Sequence, residues 1–132
     1  MTRFSFAAPA VAAVALIAFS AQAALPITPG AYVRDGVPCQ DAPLAAVLAY
    51  DGKTFSGPHE SDCATTVLSR RGQTYRLKTT CHAAGDGSPA AASTQAQTVT
   101  VRSASHITFG HTTGAGQTDR AGYRLCPAAS QR

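Results

Sequence analysis

The stretch Gln73–Cys81, QTYRLKTTC, decides the fold class. In an extended chain Tyr75, Leu77 and Thr79 share one face, while Arg76 and Lys78 share the other. Such a period of two marks a strand packed on one side and wet on the other, the usual condition of antiparallel sheets. The pattern recurs nearby. In QTVTVRS (Gln97–Ser103), Val99 and Val101 oppose Thr98, Thr100 and Arg102; in HITFG (His106–Gly110), Ile107 and Phe109 form the apolar row. No stretch keeps apolar residues at helical spacing long enough to define a helix.

Working outward, short Val/Thr/Tyr/Phe/Ile runs divided by Gly, Pro and Asp predict about eight strands. These are Gly30–Arg34, Ala45–Tyr50, Lys53–Gly57, Ala64–Arg70, Gln73–Cys81, Gln95–Arg102, His106–Gly110 and Gly122–Cys126. DAPLAAVLAY (Asp41–Tyr50) is ambiguous, because its alanines suit a helical turn that Asp41 would cap. It runs into Asp51-Gly52, a hairpin signal, which favours a strand from Ala45. AAGDGSPAAAS (Ala83–Ser93) and HTTGAGQTDRAG (His111–Gly122) read as loops. The expected core is Tyr32, Val47, Phe55, Val67, Tyr75, Leu77, Val99, Val101, Ile107, Phe109, Tyr123 and Leu125. One apolar row per strand builds an all-β domain, either a small antiparallel barrel or a two-sheet sandwich.

The beginning of the chain has a different character. Arg3, the apolar run Phe4–Phe19, and small residues at Ala21 and Ala23 have the form of a secretory signal peptide covering residues 1–23. Cleavage before Ala24 leaves a single domain, residues 24–132, with no later segment apolar enough to span a bilayer. The chain's formal charge is +4, one unit of it on Arg3. That is too little for a dedicated nucleic-acid binder. Cys39, Cys63, Cys81 and Cys126 are an even set in a small exported domain, which predicts two disulfides. Zinc sites favour cysteines roughly two to four residues apart, and these lie much farther apart. Cys63 and Cys81 flank one hairpin, so Cys63–Cys81 with Cys39–Cys126 is the favoured pairing, ahead of Cys39–Cys63 with Cys81–Cys126. The expected location is periplasmic or secreted.

PGAYV (Pro29–Val33), Asp62-Cys63, the hairpin ending TTC (Thr79–Cys81) and the terminal YRLC (Tyr123–Cys126) together resemble a family of small exported bacterial β-rich proteins of unknown function. The resemblance implies a disulfide-stapled β domain and carries no activity with it.

Chemical motifs are sparse. Gly52-Lys53-Thr54 lacks the earlier glycine of a phosphate loop, since Val47 stands there. No GxSxG stretch exists, and all four cysteines have a use in disulfides. Cys81-His82 lacks the preceding cysteine of a haem attachment site. If the strands run up and down, the long connections Asp35–Leu44, Pro58–Cys63, His82–Thr94 and His111–Ala121 share one end. Long loops on a rigid scaffold are where binding usually sits. That end would gather His59, His82 and His111 with Asp35, Asp41, Glu60, Asp62, Asp86 and Asp119, and leave His106 at the other. Imidazole with carboxylate suits zinc, copper or nickel, so the three histidines are candidate ligands, although nothing in the sequence forces them together and no cofactor is assigned. In SGPHESDC (Ser56–Cys63), Asp62 reads as a turn acceptor, which leaves His59 and Glu60 as functional candidates. Arg70, Arg71, Arg76, Lys78 and Arg102 read as a solvated basic face, with anionic lipid or peptidoglycan as the alternative contact.

The expected function is that of a non-enzymatic periplasmic or secreted module that binds an envelope protein or a small ligand at the long-loop end. The alternatives are an inhibitor of an envelope hydrolase such as lysozyme, or a metal-binding protein using the loop histidines. The SGxxY loop of known C-type lysozyme inhibitors is absent.

Overall fold

The structure, a computed structural model, describes residues 24–112 and 115–130. The expected signal segment, residues 1–23, lies outside the described residues. Eight antiparallel strands follow in order: β1 (Gly30–Arg34), β2 (Val47–Tyr50), β3 (Phe55–Ser56), β4 (Glu60–Arg71), β5 (Thr74–Ala84), β6 (Pro89–Ser103), β7 (His106–Thr112) and β8 (Thr118–Leu125). They form one sheet in the order β3-β2-β1-β8-β7-β6-β5-β4. Consecutive strands pair except β3 and β4, the two edges of the sheet, and β1 closes onto β8 through Tyr32↔Leu125 and Arg34↔Tyr123. The very short β3 rests against β4, so the sheet curls into a nearly closed barrel. This resolves the barrel–sandwich alternative.

The alternation of QTYRLKTTC becomes the inner and outer walls. Tyr75, Leu77 and Thr79 are buried, while Arg76 and Lys78 are exposed. Across the ladder Tyr75 faces Val99 and Leu77 faces Gln97, and Val99 in turn faces Phe109. The core joins these to Tyr32, Leu48, Tyr50, Phe55 and Ile107. Rings stack along it, with Tyr50–Phe55 centroids at 4.6 Å and Phe55–Phe109 at 5.3 Å.

β2 departs from the expected core by one residue. Leu48 and Tyr50 point inward, and Val47 pairs with Val33 on the outer face. A one-residue slip moves every side chain of a strand to the other face. Alternation is mute here because both faces are apolar. The connection from Asp35 to Ala46 folds back over the outer wall and covers Val33, which is 2% exposed. Cys39–Cys126 fixes this strap, and Arg124 reaches it with a hydrogen bond from Nη2 to the Val37 carbonyl at 2.8 Å. The second disulfide joins the cross-strand pair Cys63↔Cys81 of β4 and β5.

Two expected loops are largely strand. Ala83–Ser93 contains the end of β5, a turn around Gly85–Ser88 and the start of β6. Small Ala and Ser side chains carry no periodic signal, but backbone pairing needs none. Asp86 closes the turn by accepting from the Ser88 amide at 2.9 Å and its hydroxyl at 2.6 Å. Similarly, β7 runs to Thr112 and β8 starts at Thr118, both inside the stretch read as a loop.

The tight-turn end of the barrel is plugged. Leu25 and Ile27, each 7% exposed, enter the core from the segment before β1. The Leu25 amide donates to the Tyr50 hydroxyl at 3.1 Å, and the Tyr32 hydroxyl donates to the Thr28 carbonyl at 2.6 Å. Thr28 is tied to the β6–β7 turn through Ala104.

Candidate functional site

The opposite end is open. A cavity of about 270 Å³ enters the barrel there. Its apolar floor is Leu48, Phe55 and Phe109; its polar wall is His59, Glu60, Gln95, Gln97, His111 and Tyr123; Ala45, Val47, Gly57 and Pro58 complete the rim. Phe109 meets Tyr123 edge-on at 6.2 Å.

The polar wall draws on β4, β6, β7 and β8, and a hydrogen-bond chain through β5 backs it. Thr65 and Thr79 oppose each other across β4 and β5, with their hydroxyls 2.8 Å apart. Thr79 donates its single proton to Gln97 Oε1 at 2.7 Å, so Thr65 must donate to Thr79. The chain ends on the Gln97 carboxamide oxygen and leaves the carboxamide nitrogen outside it. Among the described residues no acceptor takes that nitrogen.

Glu60 occupies its place through a break in strand periodicity. Cys63, Thr65 and Val67 stand opposite the inward residues Cys81, Thr79 and Leu77. Strict alternation would therefore turn Ser61 inward and Glu60 to solvent. Asp62 has a left-handed φ of 51°, uncommon for a residue other than glycine, and interrupts the alternation. The Glu60 carboxylate thus reaches the inner row of β6, where Oε1 accepts from Gln95 Nε2 at 2.7 Å and Ser93 Oγ at 3.1 Å. Oε2 lies 3.7 Å from Cys81 Sγ. That sulfur is in a disulfide and has no proton to give, so Oε2 has no N–H or O–H donor among the described residues. Asp62 is accordingly part of β4, not a turn acceptor.

Arg34 and Asp119 form an exposed ion pair at 3.7 Å beside this mouth. Burial raises the Tyr123 phenol pKa above its ordinary value; Arg34 works against the rise and Asp119 with it.

The cavity unites His59, Glu60 and His111 but not His82, which is exposed on β5. Among the described residues no group of three His, Cys, Asp or Glu side chains is placed to hold a metal ion. The three candidate histidine ligands are therefore not brought together. Asp35 leaves the long-loop end altogether: it crosses the outer wall to His106, with Oδ2 at 2.9 Å from Nε2. Asp41 lies on the strap with a left-handed φ of 54°, and Asp86 belongs to the β5–β6 turn.

Gln95 and Gln97 were missed among the candidates, yet the signal was present. They continue the inward row of Val99 and Val101, and a polar residue on the buried side of an alternating strand asks for a partner or a ligand. The basic residues do share one exterior region: Arg71, Arg76, Lys78 and Arg102 are exposed and without a carboxylate partner among the described residues. Arg70 stacks over Tyr75 at 5.1 Å.

No family model, curated protein or solved structure matches the chain.

Proposed function

We propose that this protein is an exported, non-enzymatic binding module whose open barrel end takes a small amphipathic molecule. The cavity carries this reading. A barrel of eight strands has room for one small ligand, and here one end is filled by Leu25 and Ile27 while the other holds an apolar floor beneath fixed polar groups. That combination is the common form of small-molecule sites. Two disulfides support an oxidising compartment, the periplasm or the exterior. Among the described residues no helix is long and apolar enough to cross a membrane.

The test is an amide NMR titration with 2-phenylethanol, a probe with one ring and one hydroxyl. Saturable shifts at Leu48, Gln97, Phe109 and Tyr123 are expected. Ala45→Trp, placing a large ring on the exposed rim, should abolish them without changing the fold. Unchanged spectra at millimolar probe, or shifts that persist in Ala45→Trp, would remove the reading.

A further inference from the structure

We infer that the ligand of this cavity is a small organic cation, an ammonium group on an apolar body, with Glu60 as its counter-ion. The inference rests on the small-molecule reading above and names its chemistry.

The electrostatics of the wall lead to this class. Glu60 is held at the cavity by Gln95 and Ser93, both bonded to Oε1. Oε2 remains without a proton donor, and Glu60 forms no ion pair among the described residues. The nearby Arg34 charge is already matched by Asp119. A carboxylate facing a half-apolar cavity gains most from a ligand that brings both a positive charge and a donor proton. Charge-assisted hydrogen bonds are about twice as strong as neutral ones.

The remaining lining agrees. Phe55, Phe109 and Tyr123 supply aromatic surface beside the carboxylate, and ring faces and edges suit both the apolar body and the cation. The backbone also adopts an uncommon conformation to produce the arrangement. Without the left-handed Asp62, Glu60 would turn to solvent. Such local strain concentrates at ligand sites.

The probes are 2-phenylethylammonium and 2-phenylethanol, nearly identical in shape and different in charge. In the wild-type protein the ammonium should bind about tenfold tighter or more, the factor expected for one hydrogen bond to a charged group. Glu60→Gln, which keeps the side chain's size, should lower the ammonium's affinity far more than the alcohol's and close the gap between the two probes. Equal affinities in the wild-type protein would overturn the cation assignment while leaving the cavity a small-molecule site. Discrimination that survives Glu60→Gln would overturn the role of Glu60. Binding of neither probe would overturn both readings. Because the first comparison uses the unaltered protein, it decides the matter even if the variant folds poorly.

Discussion

Asp35 and His106 meet at 2.9 Å across the outer wall of the barrel, although 71 positions separate them, and Gly122 lies directly beneath the contact. A Cβ at Gly122 would collide with the Asp35 carboxylate. Gly122→Ala is therefore expected to destabilise the protein by about 1–3 kcal/mol, the usual cost of forcing atoms into occupied space. His106→Ala removes only an exposed hydrogen bond to Asp35 and should cost about 0–1 kcal/mol. In an Asp35→Ala background the Gly122→Ala cost should largely vanish. Urea unfolding of the three variants and the double variant measures this coupling. Additive effects would show that the collision is relieved elsewhere.

The Thr65–Thr79–Gln97 chain makes a second demand. Thr79→Val keeps the shape but strands the Thr65 hydroxyl and the Gln97 oxygen in buried positions. An unsatisfied buried polar group costs about 1–3 kcal/mol. The expected result is a lower urea midpoint with an unchanged slope. Replacing Thr65 by Val as well should recover part of the loss, because one stranded group is then removed. A double variant less stable than Thr79→Val would contradict this account.

High pH should reveal the plugged end. Burial raises the phenol pKa of Tyr32, with Tyr50 adding to the rise; burial also raises that of Tyr50, against the Leu25 amide bond that lowers it. Both folded values exceed the ordinary 10.0. The associated stability is fully present below pH 10 and is lost as pH rises toward the folded values, because the unfolded chain ionises first. Ultraviolet absorbance near 295 nm should therefore show these phenols ionising together with unfolding. Full ionisation of every tyrosine near pH 10 in a still-folded protein would refute this.

Where one face of a strand was apolar and the other polar, the fold was legible from the sequence. QTYRLKTTC, QTVTVRS and HITFG each gave the correct inner row, and hairpin signals at Asp51-Gly52 and Arg71-Gly72 set the order. Legibility failed where a second layer covered the outer wall, as at Val47 under the strap, and where Ala and Ser strands had no periodicity to read, as at Ala83–Ser93. The site was half visible. His59 and Glu60 stood out as chemistry-bearing residues, but Glu60 enters the cavity only because Asp62 takes a left-handed conformation, which no pattern in SGPHESDC announces. Gln95 and Gln97 were readable by extending the row of Val99 and Val101 toward the open end.

The strap supplies the last prediction. Cys39–Cys126 closes a separation of 87 residues and Cys63–Cys81 one of 18. In the chain-entropy description the longer closure stabilises more, about 4–5 against about 3 kcal/mol. The effects should differ in place as well as in size. Cys39→Ser/Cys126→Ser frees the strap, which covers the outer side of Val33 and Val47, so amide exchange should accelerate across Asp35–Ala46 and reach β1 and β2. Cys63→Ser/Cys81→Ser removes a link between strands already joined by a long ladder; its exchange should rise mainly at the β4–β5 end near Glu60. Hydrogen exchange read by mass spectrometry separates the two patterns. Equal protection of Asp35–Ala46 in both double variants would show that Arg124 and the apolar contacts hold the strap without its disulfide.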